Sequence, residues 1–280
     1  MRIAIIGANG QLGRDLCATL ALEHDLTPLD HATFELGDPA AVEQLVATNA
    51  ELVIHPAAYT NVDGCARDPA LAYRINGLGT QYVALACQKL NAPLVYISTN
   101  EVFAGAANTP YVEYAATGPV NAYGWSKWAG EQVVRELLDR FYIVRVAWLF
   151  GGERNFVRTV LRLAANPPES GLRMVADEVG SPTYTPDVSV AVMQLIKQPF
   201  YGTYHFVNSG ACSRYEFARE ILDQAGYGAV PITPIALADY KRDSTPPPYT
   251  PLANVAGAAL GIIFRSWQEA LAAYLASLKI

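Results

Sequence analysis

Arg2-Ile3-Ala4-Ile5-Ile6-Gly7-Ala8-Asn9-Gly10-Gln11-Leu12-Gly13 opens the chain. Its apolar run ends in Gly and passes into a helical pattern over 11–20, which reads as a buried parallel strand, a tight turn and a crossover helix. Gly at the turn permits φ > 0, the middle Gly leaves room for a pyrophosphate near the backbone, and the last lets helix and strand pack closely. The first N–H groups of the helix then face an anion with a favourable dipole. The expected dinucleotide contacts are Gly7, Asn9, Gly10, Gln11, Leu12 and Gly13. Leu26-Thr27-Pro28-Leu29-Asp30 reads as a second strand whose final Asp30, about 20 residues past the turn, would bond ribose hydroxyls. His31 follows it and leaves the choice between NAD and NADP open.

With 280 residues, 51% hydrophobic and 16% charged, the chain can bury a large core and carry a second, smaller lobe. A net charge of -6 without a basic run argues against nonspecific nucleic-acid binding. No apolar stretch reaches the roughly 18 to 20 residues of a membrane span, and Met1-Arg2 leads straight into a strand, so a cytoplasmic protein is expected. Cys17, Cys65, Cys87 and Cys212 form no Cys-x-x-Cys pair, as suits reduced thiols, and the four histidines offer no close pair for a metal.

Strand and helix patterns then alternate. A helix is expected over 39–48 with Asp38 as its cap, and Glu51-Leu52-Val53-Ile54-His55 is a third strand. Pro56 to Thr60 leaves its carboxyl end. There Ala57 and Ala58, with Tyr59 beside them, would let a nicotinamide ribose come close, although their size fits simple packing equally well. A long helix is expected over 69–89, then a fourth strand from Pro93 to Ile97 that ends in Ser98-Thr99-Asn100-Glu101. A loop over 104–118 precedes a helix from Asn121 to about Arg140, and Tyr142 to Ala147 is the fifth strand. Such alternation specifies a doubly wound parallel sheet with ligands at the strand carboxyl ends. The expected division is 1–150 for the dinucleotide half, with 186–200 returning to it, and 151–280 for a smaller α+β substrate-binding lobe.

Within Asn121-Ala122-Tyr123-Gly124-Trp125-Ser126-Lys127, Tyr123 and Lys127 are one helical turn apart and share a face. Following a dinucleotide turn and a fourth strand, this is the most informative spacing in the chain. The chain resembles the extended short-chain dehydrogenase/reductase superfamily, with its Rossmann-type fold, and within it the dTDP-4-dehydrorhamnose reductase family. Besides the two motifs above, the stretches that carry the resemblance are 57–63, Asn155-Phe156-Val157, Gly180-Ser181-Pro182-Thr183-Tyr184 and Gly202-Thr203-Tyr204-His205-Phe206.

The resemblance implies reduction of the C4 ketone of a nucleotide-linked deoxysugar with NADPH or NADH, a nucleotide-sugar partner and, as candidate assembly, a homodimer. It also implies a catalytic trio of Thr99, Tyr123 and Lys127, the last two also touching the cofactor. The chemistry suits those residue types. A ketone that accepts hydride becomes an alkoxide and needs an acid within hydrogen-bond reach, which Tyr123 can be. A phenol near pKa 10 is expected to be lowered toward working pH by the Lys127 ammonium together with the positive nicotinamide formed on oxidation. Asn100 and Glu101 follow Thr99 and are expected to line the sugar pocket, together with Trp148 and Asn155.

Two departures from the family pattern stand out. Asn100-Glu101 replaces the usual Asp-Tyr, and Thr245-Pro246-Pro247 falls where the family has Arg-Arg-Pro, associated with the substrate diphosphate. Thr99-Asn100-Glu101 also resembles the Thr-Asp-Glu of nucleotide-sugar 4,6-dehydratases, which keeps a dehydratase or epimerase as an alternative. Asn100 cannot serve as the acid such an elimination needs. A non-catalytic NADP-binding regulatory subunit of the same family is the third reading, against which the intact trio speaks.

Overall fold

The opening apolar run is strand β1 (Arg2–Ile6) in the computed structural model, which describes residues 1–278, and it is buried from Ile3 onward. Gly7 ends it at φ 87°, and α1 (Gln11–Leu20) follows with Leu12, Leu16 and Leu20 on one buried face. β2 (Asp25–Leu29) pairs with one side of β1 and β3 (Leu52–His55) with the other, both parallel. β4 (Leu94–Thr99), β5 (Phe141–Val146) and β6 (Gly202–His205) complete a six-stranded parallel sheet in the order β6-β5-β4-β3-β1-β2. The chain changes direction across the sheet between β1 and β3, and a crevice opens at their carboxyl ends.

Alternate residues of the strands feed two separate cores. Ile3, Ile5, Ile54 and Val144 pack with Leu12 and Leu16 of α1 and with Val188 and Val192 of α8 (Thr185–Leu195). On the other face Ala4, Ile6, Val53 and Tyr96 meet Leu45 of α2 (Ala41–Val46), Val83 of α5 (Gly79–Leu90) and Val134 of α6 (Ala122–Leu137). Burial on both faces explains why these strands are continuous apolar runs rather than alternating ones.

The remaining core belongs to the carboxyl-terminal half. α7 (Phe156–Ala165), α9 (Arg214–Gln224) and α10 (Trp267–Ser277) enclose Phe150, Val157, Phe217, Ile221, Trp267 and Leu271. A short parallel pair, Leu172–Val175 with Ile232–Ile235, flanks them.

Several expected boundaries move. The helix anticipated over 39–48 begins at Ala41, because the Asp38 carboxylate accepts the Ala40 N–H at 2.8 Å and closes a turn ahead of it. The long helix expected over 69–89 is three pieces: α4 (Pro69–Tyr73), a π-helical turn over Arg74–Leu78, and α5. A short α3 (Val62–Arg67) precedes them, capped by Asn61. β4 runs two residues further than expected, so Ser98 and Thr99 belong to the strand. Beyond α8, which lies against α1, residues 202–205 also return and form the sixth strand. Among the described residues no helix is long and apolar enough to cross a membrane.

An ion pair is sealed inside this fold. Arg145 of β5 donates from Nε and Nη2 to the Glu131 carboxylate of α6 at 2.8 and 2.7 Å, and the Ser98 hydroxyl of β4 adds a bond of 2.6 Å. The Glu131 side chain is 0% exposed and that of Arg145 3%. Removing one partner would strand a buried charge, whereas removing both would not. Arg145→Met should therefore lower the urea-unfolding free energy by roughly 3–5 kcal/mol, and Arg145→Met/Glu131→Leu should recover part of that loss. Equal stability of Arg145→Met and wild type would contradict this account of the pair.

Candidate active site

The three glycines of the opening turn have different jobs. A Cβ on Gly7 would stand 2.9 Å from that of Ala57, and one on Gly13 would stand 2.1 Å from the Gly7 carbonyl oxygen. Both positions are closed by backbone, which is how α1 is drawn onto the end of β1. Gly10 is different: its Cβ would meet only the Gly7 oxygen, at 3.1 Å, and the residue faces the crevice. No side chain caps α1 at Gly10, so the first N–H groups of the helix are open to an anion in the crevice.

The crevice encloses about 450 Å³. Gly7, Asn9, Gly10, Gln11, Leu12 and Gly13 form one wall, Ala57 and Ala58 another, Asp30 one end, and Tyr123 with Lys127 the other. At the Asp30 end, Oδ1 closes a turn through the N–H groups of Ala32 and Thr33, while Oδ2 accepts from Asn9 at 2.5 Å. The residues fit a dinucleotide: a helix N-terminus for the diphosphate, a carboxylate at ribose distance along the chain, and apolar walls between. Tyr59 is placed differently from Ala57 and Ala58. It does not line the crevice, and its backbone N–H and carbonyl are both bonded to Asn76.

At the other end, Asn121 caps α6 by accepting the Gly124 N–H at 2.8 Å, and this sets the helix phase. Tyr123 and Lys127 then point to the crevice from one face. Lys127 is buried, donates from Nζ to the Ile97 carbonyl at 2.8 Å, and lies 4.1 Å over the Tyr96 ring. Thr99 closes β4 with its hydroxyl bonded to the Asn100 side chain and the Glu101 N–H, both at 3.2 Å.

The chain's own groups act on Tyr123 mainly through burial. Tyr123 is raised above the usual phenol range, because burial disfavours the phenolate and the Glu101 charge adds to that, while the Thr99 hydroxyl works in the opposite direction. Burial likewise brings Lys127 down to about 7, with Glu131 opposing. Within the chain alone, desolvation outweighs any lowering by the ammonium. The result is a phenol held firmly in its protonated form.

The expected sugar-pocket residues separate into two groups. Glu101 accepts from the Asn121 amide at 2.6 Å and is raised by burial, with Glu178, Arg242 and Arg214 as its charged surroundings. The other three are engaged within the chain. Asn100 is buried, donating to Thr250 at 2.7 Å. Asn155 caps α7 through the Arg158 N–H and donates to Gly151 O and to the Tyr274 hydroxyl at 2.9 and 2.7 Å. The Trp148 ring lies under the Arg214 guanidinium at 3.5 Å and packs on Gly180. His31 and the loop ends Pro56 and Thr60 line the crevice, as does Ser98, and so do Ile97, Val146 and Leu149, to which the sequence reading gave no role. The rule that ligands bind at strand carboxyl ends would have found Ile97 and Val146.

A glycine-built helix N-terminus and a Tyr-x-x-x-Lys face converging on one crevice define a dinucleotide-dependent reductase of the extended short-chain type. The chain belongs to the family described as the RmlD substrate binding domain, whose model matches residues 1–280. It is similar to the spore coat polysaccharide biosynthesis protein SpsK of Bacillus subtilis, 38% identical over 277 residues that cover 98% of this chain and 96% of the relative. It is also similar to the dTDP-4-dehydrorhamnose reductase of Mycolicibacterium smegmatis, 38% identical with 96% of this chain and 84% of that one covered. Among solved structures, the dTDP-4-dehydrorhamnose reductase of Bacillus anthracis in complex with NADP superposes with a TM-score of 0.94 at 38% identity, covering 99% of each chain.

Because Gly10 is the least crowded of the three glycines, with only the Gly7 oxygen 3.1 Å from an added Cβ, substitution there probes the crevice with the smallest disturbance of the α1 contact. Gly10→Val should still fold, with a melting temperature at most modestly lowered, and lose NAD(P)H binding in calorimetry. Retained affinity in a folded Gly10→Val protein would remove the turn from the cofactor site.

Proposed function

We infer that the protein reduces the C4 ketone of a dTDP-linked deoxysugar, dTDP-4-dehydrorhamnose, to dTDP-rhamnose with NADPH or NADH. The observation that carries this reading is that Tyr123 and Lys127 open into the same crevice as the free N-terminus of α1. The names of the relatives, dTDP-4-dehydrorhamnose reductases and a 4-ketoreductase, support the choice of substrate.

A bound dinucleotide supplies the hydride. The phenol of Tyr123 donates its proton to the oxygen of the ketone as negative charge develops there. A raised proton affinity in the resting site suits that role, since the group must arrive protonated. Lys127 holds its ammonium between the Ile97 carbonyl and the crevice, where it can bond a ribose and favour the tyrosinate left after transfer. Thr99 orients the substrate oxygen, and Glu101 orients sugar hydroxyls from the adjacent position. Elimination chemistry lacks support, because Asn100 has no acidic proton and its amide holds Thr250.

The four cysteines are all free, which supports work in the reducing cytoplasm. As a homodimer the protein would cover the exposed Tyr73 of α4, Trp125 of α6 and Val120 in the loop just before α6.

Two substitutions test the assignment of roles. Tyr123→Phe keeps the ring and removes the acid, so it should bind NAD(P)H normally and lose roughly 10²-fold or more of turnover. Turnover within a few-fold of wild type would take the acid role from Tyr123. Glu101→Gln should weaken one charge-assisted bond to the sugar by roughly 1.5–3 kcal/mol, read as lower kcat/KM for dTDP-4-dehydrorhamnose. Release of a 4-keto-6-deoxy product from dTDP-glucose, dependent on Glu101, would favour the dehydratase instead.

A further inference from the structure

Glu131 follows Lys127 by four residues on α6, so the two side chains leave the same face of the helix one turn apart. Both are sealed from water, Lys127 at 2% and Glu131 at 0% exposed. Their anchors are neighbours in the chain as well. Lys127 Nζ donates to the Ile97 carbonyl at 2.8 Å, and the Ser98 hydroxyl donates to Glu131 Oε1 at 2.6 Å. Ile97 and Ser98 both line the crevice, so the carboxylate lies one side chain behind its wall.

An ammonium cut off from water needs a counter-charge, and the groups packed around Lys127 can be taken in turn. From β4 the Tyr96 ring faces the ammonium at 4.1 Å, and its phenol is held protonated by burial. His55 of β3, tilted against Tyr96 with ring centroids 5.6 Å apart, is kept neutral by burial and then by the Lys127 charge itself. Tyr123 on α6 is protonated too, and the Glu101 charge bears on Tyr123. The guanidinium fork of Arg145 on β5 is spent on Glu131, and Arg135 of α6 stands 4.0 Å from the same carboxylate. Beyond Arg145, burial and the guanidinium push His205 down to about 3, so it is neutral. Among the described residues the anion that acts on Lys127 is therefore Glu131, which opposes the fall to about 7 that burial causes.

We propose that Glu131 is a positioning residue for the reduction: acting through Lys127, its buried carboxylate holds the ammonium charged at the crevice, while Arg145 and Ser98 hold the carboxylate in place. This rests on the reductase reading given above. The placement has a physical reason. A carboxylate inside the crevice would repel a diphosphate and take the bonds of the ammonium for itself, whereas one behind the wall leaves those bonds to a ribose and acts through its field. Arg145 keeps that field in being, because a lone buried carboxylate would take up a proton and lose the charge that Lys127 needs. The sign for pH follows. Lys127 is charged below its midpoint of about 7 and loses its proton as pH rises through it. Without the Glu131 charge the midpoint falls, so the loss begins at lower pH.

Two variants remove the charge in different ways. Glu131→Gln is isosteric and keeps an oxygen for Arg145 and Ser98, whereas Arg145→Met/Glu131→Leu removes the whole ion pair without stranding either charge. The probe is Lys127 itself, followed by NMR through a carbon-13 label at lysine Cε during a pH titration, with Lys127→Met to assign the signal. In both variants the Lys127 midpoint should lie roughly one pH unit or more below that of the wild type. The alkaline limb of kcat/KM for NAD(P)H, which reports groups of the free enzyme, should move by the same amount. Above the wild-type midpoint the loss of kcat/KM should then approach about tenfold for each unit of displacement, and it should close at lower pH, where Lys127 is charged in every variant. A merely structural carboxylate would lower the melting temperature and leave midpoint and limb in place.

A Lys127 midpoint that stays put in either variant, once folded, would overturn the proposal, as would a kcat/KM lowered by the same factor at every pH. If one variant does not fold, the other decides the matter. If the wild-type protein turns over no 4-keto sugar nucleotide, the reductase reading fails. The tie between the two buried charges is then still judged by the Lys127 titration, which needs no substrate.

Discussion

Helix α6 lies against the end of β4 at a distance that two glycines permit. A Cβ on Gly124 would come within 2.2 Å of the Glu101 carbonyl oxygen, and one on Gly130 within 2.3 Å of the Tyr96 hydroxyl. This approach puts a helix face directly over four consecutive strand residues. Tyr96 and Ile97 meet Lys127, Ser98 meets Glu131, and the Thr99 hydroxyl neighbours Tyr123. Two charges are buried in the process, and each is compensated locally. The ammonium rests on a carbonyl and an aromatic face, and the carboxylate is held by a guanidinium fork and a hydroxyl.

The far end of the chain reaches back to α3 and the start of α6. The proline-rich loop over 239–251 is bonded to the first 150 residues and, through Val179, to the rest. Arg242 and the Ser244 N–H reach Asp63 at 3.1 and 3.0 Å, Thr250 accepts from Asn100, and the Thr245 carbonyl accepts from Asn121 at 3.2 Å. The stretch where the family pattern would place arginines is therefore a tether here, with its backbone held on the cap of α6. Glu101 sits beneath it among Arg214, Arg242 and Glu178.

Much of this was legible beforehand because the signals are local. β1, β3 and β4 are mainly apolar runs bounded by Gly7, Pro56 and Pro93, and Ser213 marks the start of its helix as a cap. Tyr123 and Lys127 share a face for the simple reason that four residues make about one turn. What escaped has no local mark. A π-helical turn leaves composition unchanged, so Asn76 reads as one more polar residue on a helical face. Asn155 looked like a sugar contact because nothing in the sequence shows that Tyr274, more than a hundred residues away, takes its amide. The proton affinity of Tyr123 depends on burial, which spacing cannot reveal.

The place of β6 has a consequence for how the chain comes to be folded. β5 stays an open sheet edge until residues 202–205 arrive, and those residues also bring His205 to within 3.4 Å of Arg145. Helix α8, which covers the α1 face of the sheet, is likewise late in the sequence. A growing chain with only its first 150 residues released therefore carries a bare strand edge and an uncovered apolar face, the two features that promote association between nascent chains. The order in which the segments emerge, rather than the strength of any one contact, sets when the crevice first exists, and the last helix must leave the ribosome before the carboxyl-terminal core can close behind it.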